Sequence, residues 1–222
     1  MGLPRRAQNR LLARCEAVEL KSSELLQQRS NNRSQHVYFP TSGVFSLWTA
    51  SCDVPDFEFA MVGNEGMLGA QIALGVSTAT TFAHVQTGGA AWRMTAAQFN
   101  NELGRNTALR RSAYRYLHVT MLQAVTMARC SRFHTLNQRL TRWLLMLRDR
   151  MGSRSFTVTQ ESMAGALGVR RVGVTNAATE LQRQGIIEYA RGKVIILDGD
   201  ALEANACSCY SQDLHSYAKF MA

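Results

Sequence analysis

The sequence predicts an α+β chain in three consecutive parts, and three observations carry that prediction. Residues 36–99 are rich in β-branched and aromatic residues interrupted by glycines, residues 107–150 contain neither Gly nor Pro, and residues 156–198 switch between helical and strand-like patterning. The chain has 222 residues, 46% hydrophobic and 18% charged, enough for one large or two small domains with a buried core. It holds no apolar run of about eighteen residues, so no transmembrane helix is expected. The basic N-terminus, MGLPRRAQNRLLARCEAVEL, lacks the apolar stretch of a secretory signal. Arg6 stands where N-myristoylation needs Ser or Thr. The expected location is cytoplasmic.

In the first part, HVYFPTSGVFSLWTA (36–50) and FEFAMVG (57–63) read as strands, with further strands over 80–86 (TTFAHVQ) and 90–94 (AAWRM). Glycines at 43, 63, 66, 69, 75, 88 and 89 supply turns. Many short strands with frequent turns suggest a barrel or sandwich. The weakly amphipathic run 9–28 reads as one or two short helices.

In the second part, Leu109, Ala113, Tyr116, Thr120, Ala124, Met127 and Ser131 recur at spacings of three and four, which predicts one long helix. Its stripe of moderate-sized residues suits either pairing with a second copy or packing onto the β domain. A second helix, TLNQRLTRWLLMLRDRM (135–151), has its apolar face at Leu136, Leu140, Trp143, Leu144 and Leu147 and ends at Gly152-Ser153.

The third part opens with a short strand at Phe156-Thr157-Val158. Thr159 is a candidate N-cap for a helix over Gln160–Leu167. Gly168 breaks that helix, and another runs from about Arg171 to Gln184 with Val174, Ala177, Ala178 and Leu181 inward. Gly185 stops it. IIEYA and KVIIL follow as two strands joined by Arg191-Gly192. Helix, short turn, helix and hairpin make the plan of a winged helix-turn-helix.

Charge is distributed unevenly. Residues 34–104 hold one base (Arg93) against five acids, whereas residues 105–183 hold fourteen arginines against three acids, a local excess of +11 in a chain of net charge +9. Such asymmetry points either to a polyanion or to a solvated basic helix surface.

Arg170 and Arg171 sit at a helix start, where the macrodipole disfavours cations. In a helix-turn-helix that end enters the major groove. Arginine there can donate two hydrogen bonds to guanine, and Asn176 has the amide pair that suits adenine. Thr175 could meet a thymine methyl or a phosphate, and Gly173 leaves room for close backbone approach. Gln160 lies beside free backbone N–H groups suited to phosphate. Arg191 and Lys193 flank the hairpin tip, where phosphate contact competes with plain solubility as an explanation. Arg183 has a solvated surface role as its alternative.

Five cysteines, Cys15, Cys52, Cys130, Cys207 and Cys209, form no disulfide framework. Cys207-Ser208-Cys209 could ligate metal, but no second pair completes a four-ligand set, so ordinary thiols are expected. The histidines at 36, 84, 118, 134 and 215 share no ligand spacing, and none is assigned as a ligand. No catalytic residue, cofactor or metal site is expected, and the chain reads as a non-enzyme: its acids and histidines form no acid–base or nucleophile set.

From NQRLTRWLLMLRDRM through TQESMAGALGVRRVGVTNAATELQRQGIIEYARGKVIILD, and more loosely from residue 36 onward, the chain resembles the Crp–Fnr family of bacterial transcription regulators. The resemblance implies an N-terminal jelly-roll of cyclic-nucleotide-binding type over 1–106, a long dimerisation helix over 107–134 and a winged helix-turn-helix domain over 135–222. It implies a homodimer on double-stranded DNA with a two-fold symmetric operator. RNA polymerase and an unknown small-molecule effector are further candidate partners, and no membrane is expected.

The family's recognition helix usually starts with a Ser-Arg-Glu-like triplet followed by a Ser/Gly-Arg pair. Here Arg170-Arg171-Val172 and Thr175-Asn176 stand in that place, so only Arg171 carries over, and the usual operator is not implied. Cyclic-nucleotide members hold the ribose with a Glu in a Gly-Glu-Leu turn and the phosphate with an Arg. The matching stretches are GNEGMLGAQ (63–71) and STATTFAHVQ (77–86), with Met67 near the Glu position, Glu65 two residues off register, and Thr80 or Thr81 in place of the Arg. A buried phosphate without a cation is poorly compensated, which predicts no cyclic AMP or cyclic GMP binding. The cysteine cluster of iron–sulfur members is also missing. The rival reading is a ligand-responsive signalling module whose winged helix contacts a protein partner; a steep salt dependence of binding would favour DNA.

Overall fold

The computed structural model describes residues 3–27, 30–33 (backbone only), 35–49, 56–79 and 81–221. Cys52 and Thr80, both weighed above, lie outside the described residues.

The N-terminal region is more strand-rich than its sequence suggests. α1 (Arg5–Leu12) gives way to β1 (Glu16–Leu20) and β2 (Leu25–Gln27), so the expected helix over 9–28 stops at Leu12. Glu16–Leu20 buries Leu20 and pairs along its full length with a distant strand. That long-range partner, invisible locally, overrides the weak helical periodicity.

β3 (Ser30–Arg33), β4 (His36–Pro40), β5 (Val44–Trp48) and β6 (Glu58–Val62) follow, then a 3-10 turn (Ala70–Leu74), β7 (Thr78–Ala79), β8 (Phe82–Thr87) and β9 (Gly89–Thr95). They form antiparallel sheets in the orders β1-β9-β4 and β2-β8-β5-β6, with a small β3-β7 ribbon. Leu20, Tyr38 and Ala91 of the first sheet meet Phe45, Val62, Ala83 and Val85 of the second in one core.

α2 (Ala96–Arg105) begins inside the range expected to be strand. Its start is specified by a capping box: Thr95 Oγ1 accepts from Gln98 N, while Gln98 reaches back to Thr95 N. α3 (Thr107–Phe133) is the long helix, and α4 (Leu136–Met151) follows after two residues, capped by Thr135 and Gln138 in the same way and ended by Gly152 at φ 59°.

β10 (Ser155–Thr157), α5 (Gln160–Leu167), α6 (Arg171–Arg183), β11 (Ile187–Ala190) and β12 (Lys193–Ile196) complete the helix–turn–helix–hairpin plan. Its core contains the inward residues of α4 and α6, Leu140, Leu144, Val174, Ala177, Ala178 and Leu181. Two further helices end the chain, α7 (Gly199–Ala204) and α8 (Cys209–Met221).

α8 lies along α3: Arg129 bonds Gln212, and the His118 ring meets Phe220 edge-on at 4.7 Å. α3 therefore has three faces. Leu109, Ala113 and Tyr116 are buried in the core beneath the β domain. His118, Arg129 and Cys130 meet α8 and the loop before it. Tyr114, Met121 and Val125 stay exposed, with Ala128 exposed on the same side. The stripe read from sequence is thus used by the chain's own core over its first half, and the unpartnered stripe is a different one. Among the described residues no helix is long and apolar enough to cross a membrane.

Candidate nucleic-acid interface

The helix-turn-helix is built by local rules. Thr159 Oγ1 accepts a 3.0 Å hydrogen bond from Ser162 N and so starts α5. Gly168 closes α5 at φ 62°, a left-handed turn that favours glycine. Arg170 occupies the N-cap of α6 without a side-chain cap, so the first N–H groups of α6 have no capping side chain.

Arg170, Arg171 and Asn176 are exposed, and Val172 is 63% exposed although apolar. Gln160, on α5, organises this end. Its Oε1 accepts from Arg171 Nε at 3.3 Å and lies 3.0 Å from Thr175 Oγ1. The Thr175 hydroxyl is also 3.1 Å from the Arg171 carbonyl, so its one proton serves either acceptor. Gln160 thus orients Arg171 and Thr175, in addition to lying at a helix N-terminus.

Gly173 has a different role from the one expected. A Cβ there would come within 2.9 Å of Leu136 Cδ2, so the glycine lets α6 approach α4 and faces the protein interior. At the hairpin, Arg191 (φ 50°) and Gly192 (φ 79°) form a two-residue turn with both residues left-handed, which matches the strand twist. Arg191 and Lys193 project there as exposed cations. Val158 N donates to Gly192 O at 2.7 Å, tying the hairpin tip to the loop before α5.

Part of the arginine excess is paired within the chain, while Arg105, Arg110, Arg111, Arg115, Arg132 and Arg154 form no ion pair among the described residues. Arg142 pairs with buried Asp213, Arg148 with Asp149 and Glu203, Arg150 with Glu65, and Arg183 with Glu180, while Arg139 donates to the Leu167 carbonyl and Arg129 to Gln212. Arg183 holds the Glu180 carboxyl down at about 2, and it belongs to this internal set. Among the described residues, Arg170, Arg171, Arg191 and Lys193 have no acidic partner. The predicted cations at the α6 start and the hairpin tip are therefore free to meet an external anion.

α5 also touches the β domain. Gln86 of β8 donates a 3.0 Å hydrogen bond to Ser162 Oγ, and Gly165 lies so close to the Trp48 indole that a Cβ would sit 2.9 Å from it.

A cavity of about 590 Å³ opens between the β domain and α3. Met67, Gln71, Thr78, Thr81, Tyr116, His118, Thr120 and Met121 contribute to its wall, which among the described residues carries no Arg, Lys, Asp or Glu. Glu65 turns away from it: its carboxylate accepts from Gly63 N and pairs with Arg150 Nε at 2.9 Å. Met67 stands buried in the place considered for the ribose-binding acid.

The cysteines bring one correction. Cys130 and His134, at the end of α3, converge with Cys207 and Cys209 at the start of α8, and their four ligand atoms lie within 4.8 Å of one another. Four side chains that could ligate a metal, which spacing alone did not bring together, therefore lie side by side. The missed signal was Cys130 and His134 four residues apart, one turn of helix. His84 and His118 pack against aromatic rings, Trp48 and Phe220 respectively, and His134 alone of the five histidines joins the thiols.

Comparison with known proteins places this architecture. Residues 138–205 match the Crp-like helix-turn-helix domain family. FixK2 of Bradyrhizobium japonicum has a TM-score of 0.74 at 13% identity, over 87% of this chain and 98% of its own. A CRP-family transcriptional regulator of Thermus thermophilus reaches 0.70 at 22% identity, over 85% and 96%. The c-di-GMP-responsive global regulator CLP of Xanthomonas campestris reaches 0.68 at 16% identity, over 87% and 99%. No curated protein sequence matches the chain.

The chain has a helix-turn-helix domain at its C-terminal end, in a fold shared with solved transcription regulators. More narrowly, the chain has the fold of the Crp/Fnr regulators and carries a Crp-like helix-turn-helix domain at residues 138–205, which bears out the family resemblance read from the sequence.

Proposed function

We propose that this chain is a homodimeric, sequence-specific DNA-binding transcription regulator, not an enzyme, and that it does not respond to cyclic AMP or cyclic GMP. The observation that carries the reading is the start of α6, where Arg170, Arg171 and Asn176 are exposed beside Val172 with no acid to neutralise the arginines. Arg171 and Asn176 read base edges, and Val172 offers an apolar contact to a thymine methyl where the family has an acid. Arg170, Gln160, Thr175, Arg191 and Lys193 take phosphate or flanking positions, and Gly173 supports the helix from behind. The α2–α3 and α3–α4 joints support a domain division at 106/107 and 134/135.

Pairing runs through α3. Tyr114, His118, Met121, Val125, Ala128 and Arg132 follow spacings of four and three, the 3.5-residue repeat of a two-stranded seam, with His118 at the border of the α8 face through its contact with Phe220. All six positions are exposed in the single chain, and four are apolar or aromatic. Among the described residues the cavity wall carries no cation to meet a buried phosphate, which supports the absence of a cyclic-nucleotide response.

Selection of bound duplexes from random sequence with the purified protein tests the whole reading. The expected product is a two-fold symmetric site whose affinity falls steeply with salt. Recovery of no enriched sequence, or a shallow salt slope with a protein partner, would replace it with the signalling-module reading.

A further inference from the structure

Three of the four described cysteines gather at one place. Cys130 lies on the last turn of α3, His134 is that helix's C-cap, Cys207 precedes α8, and Cys209 is the first residue of α8. Cys130 Sγ and Cys207 Sγ are 3.6 Å apart, and Cys209 Sγ is 3.5 Å from His134 Nδ1. All three thiols are buried, and His134 is partly so.

A zinc ion bound to Cys at 2.3 Å and to His at 2.0–2.1 Å in a tetrahedron sets its ligands at about 3.8 Å for S···S and about 3.6 Å for S···N. The Cys130–Cys207 and Cys209–His134 separations fit those figures to within a few tenths of an ångström, and all four ligand atoms lie within 4.8 Å of one another. The cysteines also make an odd hydrophobic core: the buried cluster here consists of Cys130, Cys207 and Cys209 alone, with no buried aliphatic partner. Four ligands leave no open position, which is the mark of a structural site.

The surroundings match the charge. Three thiolates, a neutral imidazole and Zn²⁺ sum to −1, and Arg129 Nη2 lies 3.4 Å from Cys209 Sγ. A cation that donates to a ligating sulfur is what an outer shell supplies.

We infer that Cys130, His134, Cys207 and Cys209 form a structural Cys₃His zinc site joining the end of α3 to the start of α8. The site would clamp the joint between α3 and α4, because His134 is one of only two residues between those helices. The long helix, the helix-turn-helix and the C-terminal helix would then share one fixed point.

The test uses the full chain, purified with reductant. Loaded with Zn²⁺ and dialysed, it should retain a single equivalent by elemental analysis. Loaded with Co²⁺, it should show thiolate charge-transfer bands and intense tetrahedral d–d bands that vanish on adding an equivalent of Zn²⁺. Chelation should lower the melting temperature. Cys209→Ser and His134→Gln should each lose stoichiometric zinc, whereas Cys15→Ser should keep it. Arg129→Ala, which leaves every ligand in place, should weaken binding by roughly 10–100-fold. Wild-type protein that keeps no zinc and gives no thiolate–cobalt bands would overturn the assignment, whatever the fate of the variants. So would a Cys130–Cys207 disulfide persisting in the reduced protein. None of these readouts depends on DNA, so the site stands or falls apart from the regulator reading.

Discussion

Trp143 Nε1 donates a 2.8 Å hydrogen bond to Glu58 Oε1, joining α4 to β6 across the seam between the helical and β parts of the chain. Ser46 Oγ donates to the other carboxylate oxygen, and Glu58 is buried. Burial pushes its carboxyl from the usual 4.5 up to about 7 against the pull of both hydrogen bonds.

A pH dependence follows from this pair. The folded chain holds the Glu58 proton at pH values where the unfolded chain has released it. This group's contribution to stability is therefore complete below about 4.5 and declines as pH rises to about 7. The decline is on the order of 3 kcal/mol. Glu58→Gln should flatten the stability profile across that window while keeping the Trp143 bond, as measured by urea denaturation at a series of pH values. An unchanged slope would place the titration elsewhere.

The Arg142–Asp213 pair joins α4 to α8, with the two residues 5% and 7% exposed. Asp213→Ala leaves a buried guanidinium without its counter-charge and should cost about 3–5 kcal/mol. Replacing both residues with apolar ones of similar volume should cost much less. A double-mutant cycle by thermal or chemical denaturation reads the difference.

Much of the helix-turn-helix could be read directly from the chain because its determinants are local. Thr159, Gly168, Gly185 and the inward series Val174, Ala177, Ala178 and Leu181 act within a few residues of themselves. The segment 16–27 depends on partners in β8 and β9, from 56 residues away (Gln27 with Ala83) to 77 (Glu16 with Arg93). Gly173 reads as a surface feature until Leu136 is placed behind it. The convergence of the three thiols with His134 escaped for the same reason, since Cys130 and Cys207 are 77 positions apart and meet only through the packing of α8 on α3.

At the α6 start, Arg171→Ala should cost about 1–3 kcal/mol of operator affinity and relax preference at one base pair. Lys193→Ala at the hairpin should weaken all sequences alike and reduce the salt slope by about one. Titrations of selected and scrambled duplexes at several salt concentrations separate the two. Equal effects of both variants on every duplex would remove Arg171 from base reading.

On the exposed stripe of α3, Val125→Lys places a charge in the centre of the proposed pairing surface, where Val125 is 64% exposed in the single chain. The dimer dissociation constant should rise roughly a hundredfold or more, about 3 kcal/mol, while the melting of the separated chain stays within about 0.5 kcal/mol. Sedimentation velocity at several concentrations checks it, and unchanged association would move the seam off this face.

His118 and Met121 belong both to the cavity wall and to this stripe. A guest that presses on them from inside alters the same surface a twin chain would meet from outside. Thermodynamic reciprocity then applies: by whatever factor a small apolar guest strengthens or loosens association, association must change the guest's own affinity by that factor.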